Sequence, residues 1–159
     1  MQAKQIIRSF FSDPAAGVLF TGADEFNTVL AAAGQDYYTV FIDAGFLPDR
    51  AAIMEQFSVS LKFPAYFGKN WDALEDCLTD LPDWLPPGGS GYLILIPNAG
   101  ALCRTEGAPP SLGAPADTYP PQALKGLSGS FETLARVLSD AAGTLQDVSG
   151  TSLKTVFIF

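Results

Sequence analysis

FPAYFGKNWDALEDCLTDL, residues Phe63–Leu81, is a loop crowded with aromatics that runs into a helix crowded with acids. Asn70 is a good N-cap, and from it the residues can be plotted at about 100° each. Trp71, Leu74, Leu78 and Leu81 fall on one side. Asp72, Asp76, Thr79, Asp80 and, if the turn continues, Asp83 gather on the other. Cys77 lies at the edge of the apolar side, where a thiol behaves as a small hydrophobe. Tyr66 and Phe67 precede the cap, and Gly68 is expected to supply a turn at positive φ. One face is therefore core and the other a stripe of carboxylates.

The carboxylates are not equivalent. Asp72 sits in the first turn, where the helix dipole favours any acid. Asp80 and Asp83 read equally well as solvated surface charges. Asp76 is harder to explain structurally: Asp is a mediocre helix former, and four residues from Asp72 it is repelled. Lys69 lies outside the cap, so no cation within the helix offsets the stripe. The residues alone leave a solvated face and a binding face for a cation-rich partner both open.

Outward from this stretch the chain alternates helices with apolar strands. Asp49–Leu61 reads as a helix with Ile53, Met54, Phe57 and Leu61 on its apolar face and Pro48 just inside its start. Tyr37–Asp43 reads as a short buried strand, and Tyr92–Ile96 as a second. Upstream, Lys4–Phe11 suggests a short amphipathic helix, Val18–Phe20 a brief strand, and Asp24–Ala33 a helix stopped by Gly34. Downstream, Ser130 is expected to cap a helix ending at Gly143, and Leu153–Phe159 closes the chain as a strand. The Pro-, Gly- and Ala-rich segment 99–128 shows no sustained period. It either holds a short helix around Pro121–Leu127 or has no structure of its own. This pattern predicts an α/β domain with a parallel sheet. In it Val18–Phe20, the following helix and Tyr37–Asp43 form a right-handed βαβ unit that adds a strand to the sheet edge.

Composition narrows the function. The 159 residues fit one domain, and with 48% hydrophobic and 16% charged residues they can bury a core. A net charge of −8 argues against direct nucleic-acid binding and for a basic partner or simple solubility. The chain has no histidine, so the commonest general base near neutrality is missing, and with it Ser-His and Cys-His hydrolysis. Cys77 and Cys103 have neither disulfide-framework nor zinc spacing, and no cofactor is expected. A hydrolase would need one of these thiols with a carboxylate base, although Cys77 reads as core and Cys103 falls in the aperiodic segment. The N-terminus lacks a signal-peptide pattern and no apolar run reaches the ~20 residues a bilayer requires, so a soluble, cytoplasmic protein is expected.

The opening stretch resembles the signature of the barstar family of ribonuclease inhibitors. The family pattern Pro-x-Tyr-(Tyr/Phe)-Gly-x-Asn-x-Asp-Ala-Leu-x-Asp-Cys-Leu-Thr is met at every fixed position from Pro64 to Thr79. The resemblance extends more loosely over the flanking helices and strands from Tyr37 onward. It implies a two-layer α/β fold, a three-stranded parallel sheet packed by helices, with room for a fourth strand from the N-terminal extension. Residues 1–159 would then be one domain: an extension over 1–36 and a core over 37–159 with a long insertion at 99–128. The signature helix and its loop would plug the active site of a basic ribonuclease.

Carried over by position, the resemblance makes Tyr66, Asn70, Asp72, Asp76 and Thr79 partner contacts, with Asp76 entering the enzyme's phosphate site. Asp83 matches a further acidic contact. Asp140, late in the last helix, lies where the prototype inhibitor has another acid. At Glu75 and Leu81 the prototype has tryptophan contacts, so the identity of the partner is less constrained than the mode of binding. The competing reading is an interaction or regulatory module on the same fold, binding another basic protein without inhibiting a ribonuclease.

Overall fold

A computed structural model of the chain describes residues 2–107, 111–112, 124–125 and 129–159. Four parallel strands form the central sheet in the order β1-β6-β3-β2: β1 (Val18–Thr21), β2 (Tyr37–Phe41), β3 (Gly91–Ile96) and β6 (Ser152–Ile158). The inner strands β3 and β6 are covered on both faces, which is why they read as continuous apolar runs rather than alternations. Tyr92, Ile94 and Ile96 pack with α3 (Arg50–Ser60), α4 (Trp71–Thr79) and α5 (Gly129–Ser149). Leu93 and Leu95 point the other way, onto Ile7 and Phe10 of α1 (Gln2–Ser12) and Val29 of α2 (Phe26–Ala33).

The α/β class, the parallel sheet and the fourth strand from the N-terminal segment match expectation. Two features of the architecture correct it. Because α1 and α2 cover the second face, the molecule has three layers rather than two. In addition, β1 and β2 are not adjacent. They occupy opposite edges, each pairing with an inner strand, so α2 crosses the width of the sheet. As an edge strand β2 is only half-buried, contrary to its apolar sequence; Tyr38 and Val40 pack inward while Phe41 is 57% exposed.

A buried cation anchors the N-terminal segment. Lys154, in β6, is 1% exposed and donates from Nζ to the carbonyls of Phe10, Asp13 and Ala16 at 2.9, 2.8 and 2.7 Å. It also lies 4.6 Å from the Phe10 ring centroid. These carbonyls belong to the end of α1 and the turn after it, where backbone acceptors lack intrahelical partners and negative dipole charge accumulates. Burial pulls the ammonium's pKa down to about 8, with Asp13 opposing.

Several boundaries differ from those read in the sequence. Pro48 lies just before α3, because Asp49 caps it through Ala52 N–H at 2.9 Å. Helix α5 runs through Gly143 to Ser149 and is stopped by Gly150 at φ 69°; burial of Ala141, Ala142 and Leu145 outweighs the roughly 1 kcal/mol cost of a mid-helix glycine. Ser130 does not cap α5 but lies inside its first turn, its hydroxyl donating to Glu106 Oε1 at 2.8 Å. Residues 99–106 form two short 3-10 turns pinned by Cys103 N–H to Leu47 and by Thr105 to Pro48, so Cys103 is buried in ordered structure. Leu124–Lys125 pairs with Ser111–Leu112 as a two-stranded antiparallel ribbon, β5 with β4, rather than forming a helix. The rest of the expected helix at Pro121–Leu127 lies outside the described residues.

Candidate functional site

Helix α4 sits on the α3–α5 face of the sheet, its apolar side buried through Leu74, Cys77 and Leu78. Leu81, in the 3-10 turn Leu81–Asp83 that follows, is buried as well, and Trp71 packs at the margin of the same core. Asn70 caps the helix as expected, its side-chain oxygen accepting from Ala73 N–H at 2.7 Å. The sharp entry to the cap is made elsewhere than expected. Lys69, not Gly68, adopts the left-handed conformation, at φ 56°.

The loop before the cap is built on an aromatic cluster. Phe63 meets Phe67 edge-on at 4.9 Å and Trp84 at 6.2 Å, and the Trp84 indole donates to the Leu61 carbonyl at 3.1 Å. With Phe67 drawn inward, its neighbour Tyr66 is turned out and stands 72% exposed. Its phenol is pushed above the ordinary value by partial desolvation and by the negative surroundings of Cys77, Asp80 and Asp83. The structure thus joins Tyr66 to the far end of α4 and the turn beyond it.

On the outer side Asp72, Asp76, Asp80 and Asp83 are all exposed. The Thr79 hydroxyl donates to the Asp76 carbonyl at 2.9 Å, which leaves its oxygen able to accept from outside. Glu75 extends the stripe towards α5. Its carboxyl is held above the usual range first by burial, then by Asp140, Asp76 and Asp72, with Arg136 opposing. Asp140, from a distant part of the sequence, therefore belongs to the same field as α4. Burial, Asp80 and Asp76 likewise push the Cys77 thiol up, which disfavours a thiolate nucleophile there. Lys69, the cation beside the cap, lies 3.9 Å from Glu55 of α3, so its charge is directed away from the stripe.

Every expected contact residue thus lies on or beside one continuous face: Tyr66 at its edge, Asn70 at the cap, Asp72, Asp76 and Thr79 along the helix, Asp83 beyond it, and Asp140 across from Glu75. Sequence reasoning placed Asp80 in the stripe without assigning it a role, and missed Glu75 as a link to α5. Only the packing of α5 on α4 reveals that link.

The sequence profile of the family described as Barstar (barnase inhibitor) matches residues 18–109, more than half of the chain and all of α4. The chain belongs to the barstar family. The match opens at β1, ahead of Tyr37, and α5 and β6 follow it. No curated protein matches the chain. The barstar family is one of inhibitors rather than enzymes, which is in keeping with a protein that acts on a protein partner. Among the described residues no helix is long and apolar enough to cross a membrane, and no group of His, Cys, Asp or Glu is placed to hold a metal ion.

Proposed function

We infer that this barstar-family protein inhibits a basic microbial ribonuclease by seating the outer face of α4 in the enzyme's active site. The observation that carries the reading is the carboxylate field along α4, only partly offset by Arg136: beyond the effect of burial, Asp140, Asp76 and Asp72 together hold the Glu75 carboxyl above its ordinary range. Such a field costs stability, and a partner that supplies cations gives a reason for it. A ribonuclease active site is lined by Arg and Lys that hold a polyanion. A carboxylate from Asp76 takes a phosphate's place there and accepts charge-assisted hydrogen bonds. Asp72, Asp80, Asp83 and Asp140 steer the encounter, so association is fast at low salt and slows as salt screens the field.

Tyr66 serves as a rigid anchor with a polar tip, ready to enter the partner without a large ordering cost. Asn70 fixes the direction of the helix through its cap, and Thr79 offers an acceptor beside Asp76. Leu81 is committed to the core and offers the partner nothing, and Glu75 replaces an aromatic contact of the prototype with another charge. Both differences favour a partner with a more basic and less apolar rim than the prototype's. Isothermal titration of the protein against basic microbial ribonucleases, paired with an activity assay, tests the reading. Stoichiometric inhibition supports it. Binding to a basic protein that is not a nuclease, with no ribonuclease inhibited, replaces it with an interaction module.

A further inference from the structure

A cleft of about 550 Å³ opens over the C-terminal ends of the parallel strands, between Asp43 after β2, Asn98 after β3 and Phe159 after β6. None of the α4 contact residues lines it. In open parallel α/β sheets this is where ligands bind, because the loops diverge there; the cleft is shallow and open to solvent, so it can seat one end of a ligand rather than enclose a whole one.

Its walls are held in place. Asp43 Oδ1 accepts from Gly45 N–H at 2.8 Å and from Asn98 Nδ2 at 3.0 Å. Arg104 Nη1 donates to the Gly45 carbonyl at 2.7 Å, and Ala44 N–H donates to the Pro97 carbonyl at 2.9 Å. The short 3-10 turn Ala44–Phe46 is thereby fixed from two sides, and it presents the Phe46 ring to the cleft 67% exposed.

Among the described residues that line the cleft the only charged side chain is acidic, and the nearby Arg104 guanidinium is engaged with the Gly45 carbonyl beside it. Asp43 is the ionisable side chain that lines it, and hydrogen bonds from Asn98 and Gly45 hold the carboxyl below its ordinary range. Both bonds fall on Oδ1, and no donor among the described residues reaches Oδ2. A free carboxylate oxygen beside an exposed aromatic face is the pairing that receives an ammonium or guanidinium group: one end meets the anion, the other lies over the ring. The net charge of −8 draws cations to the molecule in general, and this cleft adds a shaped place for one.

We propose that the cleft formed by Asp43, Phe46, Asn98 and Phe159 binds an organic cation, an ammonium or guanidinium group, at a site separate from the α4 face. The group can come from a small free amine or from an Arg or Lys side chain of a protein. Amide-resolved NMR titrations with agmatine and with the capped peptide acetyl-Gly-Arg-Gly-amide separate these sources. The same peptide with neutral citrulline in place of Arg is the control.

The expected result is saturable shifts confined to residues 43–46 and 98–101 with at least one cationic probe and none with the citrulline peptide. Asp43→Asn keeps an oxygen for Gly45 and Asn98, so the turn survives. Loss of the charge-assisted bond should lower affinity roughly tenfold or more. Phe46→Leu, at an exposed position, should weaken binding less. Tighter binding of agmatine assigns a small amine, and tighter binding of the Arg peptide a protein side chain. The proposal is overturned if neither cationic probe saturates the cleft amides, if the citrulline peptide binds equally, or if Asp43→Asn binds like the wild type.

Discussion

Replacing Glu75 with Gln should stabilise the protein, and the size of the gain can be worked from its neighbours. Glu75 is repelled by Asp140, Asp76 and Asp72 and attracted by Arg136, a net excess of two unfavourable pairs. Charge pairs at a protein surface are worth a few tenths of a kcal/mol each, so neutralising Glu75 returns ~0.4–1 kcal/mol at pH 7. With a urea m-value near 2 kcal/mol/M, the unfolding midpoint rises by roughly 0.2–0.5 M. The gain should shrink in 1 M salt, where the screening length falls to about 3 Å. The pH dependence has a fixed sign as well. An acid whose folded pKa is raised above its ordinary 4.5 loses stability as pH climbs through the interval between the two values, so the variant should flatten the wild-type decline above about pH 4.5. Urea melts at two salt concentrations and several pH values measure all three effects. A variant equal to or less stable than wild type at low salt would show that the acidic face is not under electrostatic stress.

Asn70→Ala should destabilise by about 1 kcal/mol through loss of the cap, while Asn70→Asp should hold stability, as thermal melts of the pair will show; equal melting of Asn70→Ala and wild type would dismiss the cap. Gly91 at φ 130° opens β3 where an added Cβ would strike the Ser152 backbone. Gly91→Ala should therefore cost at least ~3 kcal/mol, and a loss under 1 kcal/mol in chemical denaturation would contradict the geometry. Lys154 has a folded pKa near 8 against 10.5 when exposed, so the unfolded chain holds the proton more tightly between those values and unfolding is disfavoured as pH rises. Relative to Lys154→Met, the wild type should gain ~1.4 kcal/mol per pH unit over that interval, and a flat difference would show that the ammonium is not desolvated.

What could be read from the sequence follows the range of the forces involved. The two faces of α4 were legible because Trp71, Leu74, Leu78 and Leu81 repeat at helical spacing and Asn70 caps locally. The positive φ was assigned to Gly68 on residue type, whereas packing of Phe67 against Phe63 places the turn one residue later, at Lys69. The opposite-edge placement of β1 and β2 depends on pairing with β6 and β3, partners far along the chain, and no local pattern encodes it. The half-burial of β2 follows from that placement. Lys154 looked like an ordinary strand residue, since its three carbonyl partners come from the other end of the chain. The approach of Asp140 to Glu75 needed the docking of α5 on α4, so the candidate face was legible along the helix but not across it.

The account turns on Asp76, the carboxylate that has no structural reason to sit mid-helix on an already acidic face. The decisive measurement is inhibition of a panel of basic microbial ribonucleases by the wild type and by Asp76→Ala, at low and high salt. The wild type should inhibit one of them tightly, more weakly as salt rises, and Asp76→Ala should lose orders of magnitude in affinity while keeping its folded stability. Inhibition of none of them, or equal inhibition by both proteins, would contradict the account.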